Sequence, residues 1–99
     1  MIFKMAEEKP SYEDSRTIID LVRSHFQNQN PQLGYLFFRI NSIKANNKDG
    51  VWVVICRFLE SFGSQKRIYY KLSVNLKDGT FGDIHTMIED QANKEIQGE

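Results

Sequence analysis

The spacing of hydrophobic and polar residues changes several times along this chain, and each change marks an element. From Ser11 to Asn28, Ile18, Leu21, Val22 and Phe26 recur at helical intervals, with His25 on the same side and Ile19 widening the stripe. Ser11 follows Pro10 and suits an N-cap, and Glu13 and Asp14 fall in the first turn, where the helix dipole favours acids. Pro31 biases the residue before it away from helical angles, so the pattern predicts a helix over 11–28. After Gly34 the run Tyr35 to Lys44 is β-prone, and Asn46-Asn47-Lys48-Asp49-Gly50 suits a hairpin loop. Val51 to Phe58 is β-branched and aromatic almost throughout and is followed by the turn-prone Ser61-Phe62-Gly63-Ser64. That is the pattern of a strand with a neighbour on each side.

From Arg67 to Leu76 the alternation is regular, with Ile68, Tyr70, Leu72, Val74 and Leu76 facing one way and mostly polar residues the other. Lys77-Asp78-Gly79 makes a turn, and Thr80-Phe81 adds a stub of strand. Asp83 is expected to cap a last helix carrying Ile84, Met87, Ile88, Ala92 and Ile96, with Gly98 as its stop. The predicted fold is α+β: an N-terminal helix packed on an antiparallel three- to four-stranded meander, then a C-terminal helix. Residues 1–10 have no periodicity and are expected to form a flexible leader, leaving 11–97 as one domain.

Turns closing in their simplest register set Ala45 opposite Val51, Arg39 opposite Arg57, and Arg57 opposite Tyr69. Even-numbered strand residues then share one face: Leu36, Phe38, Ile40, Trp52, Val54, Cys56, Phe58, Ile68, Tyr70, Leu72 and Val74, none of them charged. This is the expected core face, and the apolar stripe of the first helix belongs on it. The odd face is divided. Towards the 46–50 loop it carries Ile43, Val51, Val53 and Ile55, which the last helix is expected to cover. Its other end carries Tyr35, Phe37, Arg39, Arg57, Leu59, Arg67, Tyr69 and Lys71, and this basic-aromatic end is expected to stay open. Arg39 beside Arg57 is an unfavourable cross-strand pair that needs an acid, an anion or solvent nearby, and Glu89, Asp90 and Glu95 of the last helix are candidates to supply the acid. The seven residues Tyr35, Phe37, Arg39, Arg57, Arg67, Tyr69 and Lys71 are the candidate binding surface.

Composition narrows its use. Forty per cent hydrophobic and 26% charged residues describe a folded chain, and 99 residues suffice for a core without staples. Thirteen basic residues balance thirteen acidic ones, so no global field draws the protein to nucleic acid or to an acidic membrane. Cys56 is the single cysteine and reads as a small buried hydrophobe, which excludes an internal disulfide framework. No run approaches the roughly 20 apolar residues that span a bilayer, and Met1 to Ala6 are too short and interrupted for a signal peptide, so a cytoplasmic location is expected. One reading has the arginines and Lys71 snorkel over apolar neighbours with nothing bound; the other rests on the mix of apolar, aromatic and Arg residues, which is that of interface hot spots. The favoured reading is protein–protein contact, with self-association through this sheet face or the last helix as its leading form. The alternative is single-stranded nucleic acid, with bases stacking on Tyr35 or Tyr69 and phosphates meeting Arg39, Arg57 and Lys71.

No catalytic or cofactor chemistry is legible. His85 has no cysteine or second histidine at ligand spacing, and His25 sits on the core side of the first helix, so no metal site is expected. Gly79 and Gly82 lack the lysine of a phosphate loop, and no serine lies in a nucleophile-elbow pattern. The chain is read as a non-enzyme without cofactor.

Two stretches carry a likeness. Gly50-Val51-Trp52-Val53-Val54 is similar to the Trp-x-Val strand of the PepSY domain. The segment from Tyr70 to Phe81 looks like that family's Tyr-rich strand running into an aspartate and a glycine turn. Residues 16–84 therefore resemble, in outline, this small cystatin-like fold of one helix and antiparallel strands. Asn75 stands where the family tends to have aspartate, and the cystatin inhibitory Gln-x-Val-x-Gly hairpin is replaced by Asn46 to Gly50. Members of the family are thought to bind or restrain peptidases, so the resemblance implies a non-catalytic binding role. Double-stranded RNA-binding domains share the element order, but Asp83-Ile84-His85-Thr86 has the wrong charge for their basic cluster, which rules against that assignment.

Overall fold

A computed structural model describes residues 10–45 and 50–97. Helix α1 (Tyr12–Gln29) begins where the Ser11 side chain accepts a hydrogen bond from the Asp14 backbone N–H, and it ends at Asn30, before Pro31. It buries Ile18, Val22 and Phe26, the stripe expected from its spacing. Four strands follow, β1 (Arg39–Ala45), β2 (Val51–Leu59), β3 (Arg67–Asn75) and β4 (Thr80–Met87), and a short helix α2 (Glu89–Ile96) closes the chain. The strands form one antiparallel sheet in the order β1-β2-β3-β4. The architecture is the α+β arrangement that the hydrophobic pattern predicts. The leader 1–9, the loop residues 46–49 and the Gly98 stop lie outside the described residues.

Alternation places most side chains correctly on the two central strands; the exception is Leu59, expected on the odd face but packed against the main core at the end of β2. Val54, Cys56, Phe58, Leu72 and Val74 are buried against Ile18, Val22 and Phe26, with Trp52 and Tyr70 packed beside them. Phe26 is the hub: its ring lies 4.9 Å from that of Tyr70 and 5.6 Å from that of Phe58, while Phe58 and Tyr70 stack at 5.3 Å. His25 is half-buried, its ring 4.8 Å from that of Phe81, so it packs between α1 and β4. The register also agrees over β2 and β3, where Arg57 pairs with Tyr69.

The edge strands depart from simple parity, and the reason is the same in both. In β1 the pairing passes from Arg39↔Arg57 to Ala45↔Trp52, not Val51, because the ladder shifts between Ile40 and Ser42. One extra residue in a bulge turns the rest of the strand over. Ile43 therefore packs on the core face, and Lys44 moves to the opposite one. Asn41 sits in this bulge with its buried Oδ1 unpartnered. In β4 the shift lies opposite Lys71–Ser73, and Asp83 adopts φ 53 there, so Phe81 joins the main core while Met87 faces the other side.

Two element expectations are corrected. The stretch after Gly34 is not extended at first: Leu33–Tyr35 forms a 3-10 turn in which Leu33 and Leu36 both plug the core, and β1 starts only at Arg39. The residues taken for the start of the last helix are instead β4. Thr80, Gly82, Ile84 and Thr86 are poor helix formers, and the outer edge of β3 supplies hydrogen-bond partners that a helix would leave unused. A full β4 runs back along β3, so α2 starts beside Arg67 rather than beside the 46–50 loop.

Candidate binding surface

The odd face is covered across its middle. Ala92 of α2 is fully buried against Ile55, Tyr69 and Met87, with Ile96 packed beside them. Lysines from two strands hold the last turn: Lys71 Nζ donates to Glu95 Oε1 at 2.6 Å, and Lys44 Nζ donates to the Glu95 carbonyl oxygen at 2.6 Å. Cations at the C-terminus of a helix also complement its dipole. The greasy end expected to lie beneath this helix is only partly covered, with Val51 and Val53 half-buried.

The seven candidate residues consequently separate. Tyr69 is 1% exposed, so the expectation that it stands on the open surface is corrected: the returning β4 and α2 cover it. Lys71 is turned inward to Glu95. The other five stay at the outer end of the sheet. Phe37, Arg39, Arg57 and Arg67 line one cleft of about 300 Å³ together with Phe58 and Leu59. Its position follows from the register, since Arg39 and Arg57 are direct cross-strand neighbours and Arg67 lies opposite Leu59, one row further out. Tyr35 lies outside the cleft on the 3-10 turn, with its ring 6.5 Å from that of Phe62.

Charge here is unbalanced. Among the described residues the three guanidinium groups meet one carboxylate, Glu89, which stands 3.9 Å from Arg67 Nη1 in a half-exposed contact. Arg57 is half-buried and its Nη1 donates to the Tyr69 hydroxyl at 3.4 Å, a long contact that steers the guanidinium without neutralising it. Buried Tyr69 thus still belongs to the site, as the floor that orients Arg57. Of the acids expected from α2, Glu89 reaches Arg67 and Glu95 reaches Lys71.

Beside the charges lies apolar surface that the fold does not use. Tyr35, Phe37 and Phe62 are 69%, 70% and 75% exposed. Phe37 also adopts φ 56, a left-handed conformation that costs a bulky residue on the order of 1–3 kcal/mol. The alternation pattern could not reveal this, because it treats Phe37 as a strand residue. Phe62 was visible only as part of a turn.

Other chemistry is sparse. Among the described residues no group of three or more His, Cys, Asp and Glu side chains could hold a metal ion, and no helix is long and apolar enough to cross a membrane. Cys56 is fully buried, and burial pushes its thiol up to about 12. Asp78 sits in the β3–β4 turn, where the Thr80 hydroxyl and then the Thr80 backbone N–H donate to its carboxylate and hold its pKa below the usual value. Comparison of the chain with protein-family models, with curated proteins and with solved structures gave no match.

Proposed function

We propose that the chain is a non-catalytic binding module whose contact surface is the outer end of the sheet around Phe37, Arg39, Arg57 and Arg67, and whose partner is a different protein. The observation that carries this is the exposed Phe37, held at φ 56 beside three clustered arginines. A strained, exposed aromatic contributes little to the fold, and aromatic and Arg residues are what interface hot spots favour. The non-catalytic role implied by the PepSY resemblance points the same way. A cytoplasmic site of action fits the lone unpaired thiol of Cys56.

Self-association through this surface is less well supported, because a two-fold interface sets each patch against its own copy and arginines would meet arginines. The apolar side of α2 is already engaged by Ile55, Tyr69 and Met87. Nucleic-acid binding loses two of its five proposed contacts, since Tyr69 is buried and Lys71 is paired with Glu95.

Affinity capture with the intact chain, paired with sedimentation, tests the reading. The wild type should sediment as a monomer and retain a protein that the Phe37→Gly and Arg57→Gln variants both lose. Phe37→Gly should at the same time melt no lower than the wild type, because glycine removes the left-handed strain. Recovery of the same protein by both variants, or a dimer abolished by them, would refute it.

A further inference from the structure

The charge of the cleft and the exposed ring beside it say what part of a partner enters it. Resting on the module reading above, we infer that it takes an anionic side chain of a partner peptide, a carboxylate or phosphate ester, with a neighbouring large apolar residue of that peptide lying on Phe37. Arg39 and Arg57 occupy directly paired positions on adjacent antiparallel strands and line the same cleft, a like-charge pairing that an oxyanion bound there would relieve. Arg67 reaches the same concavity from the third strand, and its Glu89 contact at 3.9 Å is long enough to exchange for a better acceptor. Arg57 Nη1 donates to the hydroxyl of buried Tyr69 at 3.4 Å, a long bond that favours one orientation of the guanidinium before any ligand arrives.

Size and surroundings select the peptide. The cleft of about 300 Å³ is a local one lined by three arginines, whereas a single-stranded nucleic acid needs a basic groove that follows successive phosphates. The two lysines on and beside β3 do not extend it: Lys71 is paired with Glu95 at 2.6 Å, and neither Lys66 nor Lys71 lines the cleft. A free inorganic anion would make no use of Phe37, whose 70% exposure on the rim provides an apolar contact next to the charge. The two features together match an acidic residue adjacent to a large apolar one.

A heteronuclear NMR titration of the whole chain at low salt tests this with defined probes. These are a short peptide with two glutamates flanking a leucine, its glutamine counterpart, the same peptide with phosphoserine in place of the glutamates, and a thymidine oligonucleotide. The glutamate or phosphoserine peptide should shift the amides of Arg39, Arg57 and Arg67 and bind about tenfold or more tightly than the glutamine peptide. Tighter binding of phosphoserine identifies phosphate as the preferred oxyanion, and tighter binding of glutamate identifies carboxylate; both support the site. Arg39→Glu should weaken the anionic peptide by about tenfold, whereas Lys66→Glu, the same charge change outside the cleft, should alter it less than about twofold. Equal losses in the two variants, equal binding of the glutamate and glutamine peptides, or shifts at these arginines from the oligonucleotide alone overturn the inference. If captured protein still depends on Phe37 and Arg57 while the peptides bind alike, only the oxyanion assignment falls. If that dependence is absent too, the module reading falls with it.

Discussion

Whether α2 is a true part of the sheet face or a loosely laid cover decides how much of the odd side is available, and the Lys71–Glu95 pair is the place to ask. Lys71 Nζ and Glu95 Oε1 are 2.6 Å apart, with side chains 31% and 33% exposed. Exposed pairs contribute about 0.2–1 kcal/mol, and partial burial with a short contact puts this one near the upper end, roughly 1 kcal/mol. The apolar hold on α2 is small, consisting of Ala92 and the half-buried Ile96 against Ile55, Tyr69 and Met87. One ion pair is therefore a sizeable part of what docks the helix. Replacing Lys71 by Met or Glu95 by Gln should open α2 locally rather than unfold the domain. A loss of roughly 1 kcal/mol corresponds to about fivefold faster exchange of the 89–96 amides, with those of β2 and β3 unaffected. Native-state hydrogen exchange on both single variants and the double variant gives the coupling directly. The double variant should exchange no faster than either single one, and high salt should shrink the difference from wild type. Additive losses, or unchanged exchange in all three variants, would refute the pairing as a latch.

Two further outcomes follow from the core. Phe26→Ala removes the ring that touches Tyr70, Phe58 and Phe38 and should cost about 3–5 kcal/mol in urea unfolding, whereas a loss below about 1 kcal/mol would mean that α1 is not the lid of the main core. Burial raises the Cys56 thiol from 9.0 to about 12, so below pH 9 it is protonated in both the folded and unfolded states and contributes no pH dependence. Above that, only the unfolded chain releases the proton, so stability should fall with rising pH, by up to about 1.4 kcal/mol per pH unit. Urea midpoints measured between pH 7 and pH 10 should show a shallower fall for Cys56→Ala than for wild type, and parallel slopes would contradict the burial.

Some of this protein is written in local residue order. The Ser11 cap, the Ile18–Val22–Phe26 stripe and the Pro31 stop place α1 because helix ends and periodicity are properties of a few neighbouring residues. Two-residue alternation likewise assigns Trp52, Val54, Tyr70 and Leu72 to one face, since β2 and β3 are paired on both sides and have no freedom to slip. The arginine cluster followed from the same count. Tertiary structure decided what lies at the edges. The bulges at Asn41 and Asp83 form where a strand has a neighbour on one side only, and each turns the residues beyond it over without leaving a sign in the hydrophobic pattern. Thr80–Met87 became a strand because β3 offered an open ladder, and that return carried α2 onto Tyr69 and Lys71. Which arginines remain open is therefore set by where a distant helix lands, a long-range competition for the same sheet face that no local spacing can encode.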